Sequence, residues 1–376
     1  MTAQDKVPAP TPIRSFPVLV TGGAGFIGSN LADRLARDGH DVLIYDSLSR
    51  PGVESNLAWL KARHPRRIST VIADIRDGRA VGDAAAGAKA VFHFAAQVAV
   101  TTSLLDPYQD FATNAQGTVS LLEALRRRRQ PPPLVFASTN KVYGDLGDLH
   151  LAHEGERYLP CDPAVRAHGI DESRHLCFHT PYGCSKGAAD QYVLEYARNF
   201  RIPAALLRMS CIYGPRQLGT EDQGWMAHFL RSAMGSKPIT IYGDGHQIRD
   251  VLHVDDAVRA YLAVWDRISE VAGQAFNLGG GPGNAVSLLQ VIAEIESILG
   301  HPVERRFEVW RPGDQRYYVS DTRRVTSCVG LPRPRHWRQG LKDLALWLQS
   351  DGLAIQDSAA AKEVARRGSA AAEVAS

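Results

Sequence analysis

The chain has 376 residues, of which 44% are hydrophobic and 22% are charged, and its formal net charge is +3. This composition is typical of a globular protein with a sizeable core. Because the net charge is small and no run of about 18 apolar residues occurs, we expect neither a nucleic-acid partner nor a membrane span.

The two ends of the chain differ in composition from the rest. Residues 1–16 lack the apolar stretch of a signal peptide, so we expect a flexible arm. Residues 351–376 are rich in alanine and charged side chains without a stable apolar stripe, so we expect a disordered or frayed tail.

The cysteines indicate a reducing compartment. Five of them, at positions 161, 177, 184, 211 and 328, are odd in number and irregularly spaced, which is typical of free thiols and favours a cytoplasmic location. No pair has CxxC spacing and the 13 histidines form no ligand pattern, so no metal site is predicted.

The first half of the chain alternates between strand and helix patterns. A β-branched run meets glycines and an amphipathic segment over 17–37, and a helical pattern covers 114–129. Further short apolar runs, typical of strands buried on both faces, lie at 41–46, 69–75, 89–96 and 134–139. This alternation predicts an α/β fold with a doubly wound parallel sheet over 17–208.

After residue 208 the pattern changes. A helix at 227–235, a short strand within 239–245, loops and two more helices predict a smaller mixed α/β substrate lobe over 209–350, partly interleaved with the first domain.

Glycines at the first predicted turn indicate a dinucleotide site. Gly22, Gly25 and Gly28 lie between a strand and a helix, where bare backbone can approach a pyrophosphate at the helix N-terminus. Asp46 ends the second predicted strand, where a carboxylate accepts hydrogen bonds from an adenosine ribose and favours NAD over NADP. The alternative for Asp46 is an ordinary turn or N-cap role.

A Tyr-xxx-Lys pair adds chemistry to this site. Tyr182 and Lys186 lie four apart on a helical pattern and therefore share one face. Beside a dinucleotide, the Lys186 ammonium and the positive nicotinamide ring would lower the pKa of Tyr182, which could then accept a substrate proton. Thr139, at a strand end, could hold the substrate oxygen. A surface pair on any helix is the alternative.

Several ordered motifs carry a family resemblance over residues 17–348. TGGAGFIG (21–28), HFAAQ (93–97), YGCSK (182–186), IYGPR (212–216) and RDVLHVDD (249–256) resemble extended short-chain dehydrogenase/reductases that act on nucleotide sugars. The resemblance implies a Rossmann domain, tightly held NAD and a C-terminal lobe that binds a nucleoside diphosphate sugar. It assigns to the cofactor site Gly22, Gly25, Phe26, Ile27, Gly28, Asp46, Asp74, Ile75, Ala95, Gln97, Tyr182 and Lys186. It assigns to the substrate site Asn140, Lys141, Cys211, Tyr242, Arg249, Arg311 and Asp314.

Two of these assignments have a purely structural alternative. Arg249 and Arg311 would hold the diphosphate, for which guanidinium groups are well suited. Either arginine could instead belong to a structural ion pair.

The side chains at positions 140 and 141 are unsuited to elimination chemistry. Related dehydratases carry an Asp-Glu pair directly after the threonine, and these carboxyls supply an acid and a base. This chain has Asn140 and Lys141 there, and an ammonium is not a base unless it is strongly desolvated. We therefore expect chemistry limited to oxidation and reduction.

Two signals differ on the carbon that reacts. TNKVYGD (139–145) and the insertion containing GIDES (169–173) resemble CDP-paratose 2-epimerases, which oxidise C2 of a CDP-linked sugar and reduce its other face. IYGPR looks more like the UDP-sugar 4-epimerases, although Cys211 replaces the asparagine that usually precedes this motif.

The leading hypothesis is therefore an NAD-dependent nucleotide-sugar epimerase, with C2 of a CDP-sugar preferred over C4 of a UDP-sugar. A net nucleotide-sugar oxidoreductase and a non-catalytic NAD-binding regulator are the alternatives. Segments 110–129 and 181–199 resemble the helices through which this family dimerises, so a homodimer or tetramer is expected.

Overall fold

The computed structural model describes residues 16–352. Nearly all of the predicted arm and of the predicted tail lies outside these residues. The described part begins with alternating strands and helices: β1 (Val18–Thr21), α1 (Phe26–Arg37), β2 (Val42–Asp46), α2 (Val53–Arg63), β3 (Ile68–Ile72), α3 (Gly78–Ala86), β4 (Ala90–His93), α4 (Val100–Leu105), α5 (Pro107–Phe111), a π-helical turn (Ala112–Gln116), α6 (Gly117–Arg126) and β5 (Leu134–Thr139).

A 3-10 turn (Asn140–Tyr143) follows β5. The next elements are β6 (Leu151–Glu154), β7 (Arg157–Pro160), α7 (Pro163–His168), α8 (Thr180–Phe200), β8 (Ala204–Met209) and β9 (Cys211–Tyr213). The remaining elements are α9 (Trp225–Met234), β10 (Ile239–Tyr242), β11 (Ile248–His253), α10 (Val254–Asp266), α11 (Ile268–Val271), β12 (Ala275–Leu278), a 3-10 turn (Pro282–Asn284), β13 (Ala285–Ser287), α12 (Leu288–Leu299), β14 (Arg305–Glu308), β15 (Tyr317–Tyr318), α13 (Arg323–Val329), α14 (Trp337–Trp347) and a π-helical turn (Leu348–Gly352).

The central sheet has seven strands in the order β3-β2-β1-β4-β5-β8-β12. All of its pairings are parallel. This is the strand order of a doubly wound Rossmann fold, in which ligands bind at the carboxyl ends of the strands where the order reverses. The predicted fold class is confirmed.

Alternate residues of each strand enter the two layers of the core. On one face, Val18 and Val20 of β1 pack with Leu31 and Leu35 of α1. On the other face, Leu19 packs with residues of α3, α6 and α8, including Leu121. Because strand side chains alternate between faces, burial on both sides produces the continuous apolar runs seen in the sequence.

Smaller sheets form what we call the C-terminal lobe, together with α9, α12 and α14. In the larger sheet, β11 pairs with β13, β15 and β9. In the smaller one, β10 pairs with β14. Their shared core includes Ile241, Val251 and Trp337. Because β12 returns to the seven-stranded sheet after this lobe has begun, the chain crosses between the two units more than once; the domain boundary at 208/209 stays a prediction.

Two predicted elements differ from the structure. The run 69–75 was expected to be buried on both faces, but β3 is the edge strand and its residues are half-buried or exposed. The predicted helix 114–129 begins earlier, at Pro107, because the Asp106 side chain caps Gln109 N (2.9 Å). A proline at the first helical position is a strong start signal.

Candidate active site

A cleft of about 580 Å³ lies at the carboxyl ends of β1, β2, β4, β5 and β8. All of the predicted cofactor and catalytic residues line it. These are Gly22, Gly25, Phe26, Ile27, Gly28, Asp46, Asp74, Ile75, Ala95, Gln97, Thr139, Tyr182 and Lys186, joined by the predicted substrate residues Asn140, Lys141 and Cys211.

The glycine turn leaves no space for side chains. Gly22 has φ +67°, and a Cβ there would lie 2.6 Å from Ala95 N, while a Cβ on Gly28 would lie 2.3 Å from Gly22 O. Gly25 is the N-cap of α1 and no side chain caps this helix end. The free N–H groups of α1 therefore face the cleft, which fits the pyrophosphate of a dinucleotide.

Two carboxylates stand beside this turn. Asp46 Oδ2 accepts a hydrogen bond from Ala24 N (2.9 Å) and its Oδ1 accepts one from Leu48 N (2.9 Å). Burial raises the pKa of Asp46, and these backbone hydrogen bonds oppose the shift. Asp74 is instead paired with Arg76 (2.7 Å), whose hydrogen bond lowers the pKa of Asp74.

Helix α8 and strand β5 together place the predicted catalytic residues. Lys186 Nζ donates to the Ala137 carbonyl oxygen of β5 (2.7 Å) and lies 4.2 Å from the centre of the Phe136 ring. At the start of α8, Tyr182 N donates to Ser103 Oγ (3.2 Å). The Tyr182 phenol is hydrogen-bonded with the Thr139 side chain.

In the chain on its own, burial shifts the pKa of both members of the pair. Burial raises the pKa of Tyr182 to about 12, against the opposing hydrogen bond with Thr139, and Asp110 adds to the rise. Burial also lowers the pKa of Lys186 to about 7, while Asp190 and Asp110 oppose that shift. The predicted lowering of the pKa of Tyr182 concerns the site with the nicotinamide ring bound, so it stays a prediction.

Asn140 and Lys141 connect the end of β5 to the loop before β15. Asn140 Nδ2 donates to Gln315 Oε1 (3.1 Å). Lys141 Nζ donates to Gly313 O (3.2 Å) and lies 3.6 Å from Asp314 Oδ1. We call these two side-chain pairs, Asn140–Gln315 and Lys141–Asp314, the interlobe contact. Both residues line the cleft, but each has a protein partner from the C-terminal lobe.

At the interlobe contact, the Asp314 carboxylate lies close to two cations, Lys141 and Arg249. Burial opposes ionisation of Asp314, but Arg249 and Lys141 outweigh it and lower the pKa of Asp314. Burial lowers the pKa of Lys141, while Asp314 opposes that change. Arg249 Nη2 donates to the same Asp314 Oδ1 (2.7 Å), so one carboxylate serves two cations.

Four predicted substrate residues are not among the described residues that line the cleft: Tyr242, Arg249, Arg311 and Asp314. Arg311 lies 3.8 Å from the centre of the Tyr242 ring and 3.3 Å from Asp222 Oδ1. Tyr242 Oη donates to Glu221 Oε1 (2.7 Å). Both arginines therefore occur in ion pairs in this structure, and their diphosphate role stays a prediction.

The C-terminal lobe adds lining residues to which the sequence analysis assigned no role in the site. Trp225 Nε1 donates to Cys211 Sγ (3.4 Å), and burial raises the pKa of this thiol. Arg216 stacks on Trp59, 3.8 Å from the ring centre. Arg216 and Trp225 lie in or next to a glycine-rich loop segment. A loop sequence has no helix or strand periodicity that would indicate which of its side chains face the cleft. The lining set from this segment includes Arg216, Gln217, Leu218, Asp222, Gln223, Gly224, Trp225 and Met226.

The GIDES segment of the insertion lies outside this lining set. Ile170 bridges to Ser320, and Glu172 Oε1 accepts a hydrogen bond from Asn277 N (2.7 Å). Gly169 has φ +91°, and a Cβ there would lie 2.4 Å from Val319 O. These contacts join the insertion to β12 and to residues 319–320 after β15, so the motif has a structural role in this fold.

Residues 16–352 contain no cluster of three or more His, Cys, Asp or Glu side chains that could hold a metal ion. All five cysteines are free thiols. In this same part of the chain, no helix combines the length and apolar character needed to span a bilayer.

Comparison with known proteins defines the class to which this site belongs. The sequence model of the NAD dependent epimerase/dehydratase family matches residues 18–279. CDP-paratose 2-epimerase of Salmonella typhi is 39% identical over 342 residues, covering 89% of this chain and 99% of that protein. UDP-glucose 4-epimerase of Mycolicibacterium smegmatis is 33% identical over 313 residues, covering 83% and 92% respectively.

A solved structure agrees with these relatives. UDP-glucuronic acid 4-epimerase from Bacillus cereus, in complex with UDP-glucuronic acid and NAD, matches with a TM-score of 0.76 at 26% identity, covering 89% of this chain and 99% of that chain. The chain belongs to the NAD dependent epimerase/dehydratase family. The predicted cofactor, NAD, and the predicted activity, epimerisation of a nucleotide sugar, are thereby confirmed.

Proposed function

We propose that the protein inverts C2 of a CDP-linked sugar by transient oxidation and reduction on the opposite face. The observation that carries this choice is the 39% identity with CDP-paratose 2-epimerase over 89% of the chain. The relative from Mycolicibacterium smegmatis, a UDP-glucose 4-epimerase, is 33% identical. Together with the IYGPR motif, it favours C4 of a UDP-sugar as the second candidate.

The catalytic roles follow from the site geometry. Tyr182 takes the proton of the sugar hydroxyl, and Thr139, which is hydrogen-bonded with the Tyr182 phenol, holds the same oxygen. Lys186, fixed by the Ala137 carbonyl, holds its ammonium on the Tyr182 side of α8. The glycine turn and Asp46 would hold NAD, which would supply the hydride acceptor and donor and a positive ring that favours the phenolate form of Tyr182.

The residues beside Thr139 support a route without elimination. The amide of Asn140 is hydrogen-bonded to Gln315 and is neither a general acid nor a general base at neutral pH. The ammonium of Lys141 is engaged by Asp314 and by the Gly313 carbonyl. No carboxyl therefore occupies the two positions after Thr139 from which dehydratases supply their acid and base.

An isotope experiment distinguishes C2 from C4. We expect CDP-paratose deuterated at C2 to turn over more slowly than the unlabelled sugar, and to keep its label in the product. UDP-glucose deuterated at C4 is the matched test of the second candidate. Turnover of the UDP-sugar alone, with an isotope effect at C4, would overturn the C2 assignment.

Cofactor release separates an epimerase from a net oxidoreductase. An epimerase regenerates NAD in each cycle, so product should form without added cofactor and without accumulation of NADH. Product formation that consumes added NAD in a one-to-one ratio would instead support the net oxidoreductase.

We also propose a cytoplasmic homodimer. Exposed apolar side chains cluster on α4, α5 and α8: Leu105 is 87% exposed, Tyr108 79%, Phe111 53% and Tyr192 48%. Contiguous exposed apolar surface of this kind is typical of protein interfaces. A second copy of the chain would cover it by helix-to-helix packing.

A further inference from the structure

A buried carboxylate lies behind the catalytic pair. Asp110 of α5 is 1% exposed. Its Oδ2 accepts a hydrogen bond from Ser185 Oγ and its Oδ1 accepts one from Asn114 Nδ2 (3.2 Å). Among the described residues, no arginine or lysine lies within ion-pair distance of Asp110, so its hydrogen-bonding partners are neutral groups. A buried carboxylate with only neutral partners is costly and calls for a reason.

Its partners connect it to both halves of the site. Ser185 lies between Tyr182 and Lys186 on α8, and its hydroxyl is also close to Asn114 Nδ2 (3.0 Å). Asn114 sits in the π-helical turn after α5, where its Oδ1 accepts a hydrogen bond from Gln97 N (2.8 Å). A single polar cluster thus joins α5, α8 and the Gln97 backbone of the cofactor wall.

Other charged groups near the pair are already compensated. Asp190 of α8 is held by Arg208 of β8 through two hydrogen bonds of 2.9 Å. His93 of β4 is bonded to Thr21 and burial lowers its pKa to about 3, so it is neutral.

The remaining titratable groups near α8 have partners of their own. Lys141, in the turn after β5, is paired with Asp314. Glu123 of α6 accepts a hydrogen bond from Tyr196, further along α8. Tyr143, in the same turn as Lys141, accepts one from Arg208. Helix α4 and the π-helical turn contain no titratable side chain. Burial raises the pKa of Asp110, while the Ser185 hydrogen bond and the charge of Lys186 oppose that shift. Among the described residues, Lys186 is therefore the cation that stabilises the Asp110 carboxylate, without a direct ion pair between them.

We propose that Asp110 is a positioning residue for the reaction at Tyr182 and Lys186. Its carboxylate fixes the register of α8 through Ser185 and keeps a negative charge behind the two catalytic side chains. The charge helps the buried Lys186 retain its proton, and it keeps Tyr182 protonated until the cofactor's positive charge is present. The proposal rests on the proposed function, because it uses the roles assigned there to Tyr182 and Lys186.

The direction of both effects agrees with the electrostatics. Asp110 raises the pKa of Lys186 and also raises the pKa of Tyr182. Removing the charge should therefore move both ionisations to lower pH. A merely structural role would lower activity or stability without moving either one.

The test is the pH profile of kcat/KM with CDP-paratose, or with UDP-glucose if that is the sugar turned over. We expect Asp110→Asn to shift both limbs of the profile to lower pH by roughly one unit. Ser185→Ala is the matched control, since it removes the hydrogen bond but keeps the charge; its limbs should stay in place. Asp110→Glu restores the charge and should restore the wild-type limbs.

Wild-type limbs in Asp110→Asn would overturn the proposal, whatever the change in kcat. If Asp110→Asn does not fold by circular dichroism, Asp110→Ser provides a smaller uncharged variant. Failure of both to fold, with Asp110→Glu folded, would assign a structural role and also overturn it. The proposed function fails separately if Tyr182→Phe retains wild-type turnover.

Discussion

Asn140 and Gln315, 175 residues apart, share a buried hydrogen bond of 3.1 Å between their side-chain amides. It joins the residue after Thr139 to the loop that precedes β15. Gln315 also donates to the Gly144 carbonyl oxygen (2.6 Å), so its amide fixes both ends of the turn after β5. The position of Thr139 in the cleft therefore depends on a side chain of the C-terminal lobe.

A double-mutant cycle measures this coupling. Gln315→Ala leaves the Asn140 amide and the Gly144 carbonyl unsatisfied, which should lower the free energy of unfolding by about 1–3 kcal/mol. Asn140→Ala should cost a similar amount, and the double variant less than the sum. Urea unfolding gives the three values. Strictly additive losses would mean that the two amides do not interact.

Replacing Tyr182 by phenylalanine tests the proton acceptor. The ring and its packing remain, but the hydroxyl is lost, so turnover should fall by roughly 10² to 10⁴. Bound NAD should be retained, as checked by its absorbance after gel filtration. Tyr192→Phe, on the exposed side of the same helix, is the matched control and should leave turnover unchanged. Full turnover in the Tyr182 variant would remove this residue from the mechanism.

The fold could be predicted from local patterns because a doubly wound sheet is built from repeated short-range units. The run from β1 through the glycine turn to α1 needs glycine at each tight approach, so its sequence is distinctive. The edge strand β3 was misjudged because an apolar run does not reveal whether one or both faces are covered. Coverage depends on which elements pack there, and that is a tertiary property.

The site was predictable where one segment carries both position and chemistry, as with Tyr182 and Lys186 on α8. Contacts between distant segments were not. Nothing in the local sequence indicates that Asn140 meets Gln315, or that Asp110 meets Ser185. The pKa of Tyr182 in the chain on its own is likewise set by burial, which the sequence of α8 alone does not specify.

The buried Lys186 should make the stability of the NAD-free protein depend on pH. Its pKa falls from 10.5 to about 7 on folding, so the unfolded chain binds the proton more tightly between these values. The penalty is complete below pH 7 and disappears as the pH rises toward 10.5. Lys186→Met should therefore raise the free energy of unfolding at pH 6 by on the order of a few kcal/mol, and little at high pH.

Urea unfolding at a series of pH values checks this expectation. Lys237→Met, at an exposed position, is the control and should show no such dependence. A gain for the Lys186 variant that is equal at pH 6 and pH 10 would contradict the desolvation of its ammonium.

The apolar surface on α4 and α5 predicts the oligomeric state. Light scattering at micromolar concentration should give twice the chain mass. Tyr108→Glu places a charge where 79% of the side chain is exposed in the isolated chain, so it should yield monomers without unfolding them. Leu346→Glu, at an exposed apolar position on α14, is the matched control and should remain dimeric. A monomeric wild-type protein would contradict the proposed interface.

Incorporation of hydrogen from solvent at the inverted carbon distinguishes two routes of inversion. A sugar carbon can be inverted by hydride transfer through NAD, or by proton loss and return beside an existing carbonyl. The second route needs an acid and a base at the carbon, and the positions after Thr139 hold Asn140 and Lys141 instead. Although burial lowers the pKa of Lys141, the Asp314 carboxylate opposes this change and occupies the ammonium.

We therefore expect that the hydrogen on the inverted carbon does not exchange with water during the reaction. A reaction run in heavy water with CDP-paratose or UDP-glucose should give product without deuterium at that carbon, as measured by NMR and mass spectrometry. Tyr182→Phe under the same conditions controls for exchange that the protein does not catalyse. Lys141→Met should leave the label pattern unchanged even if it slows turnover. Incorporation of solvent deuterium at the inverted carbon would contradict hydride transfer. Loss of that deuterium in the Lys141→Met variant would indicate that Lys141 exchanges the proton.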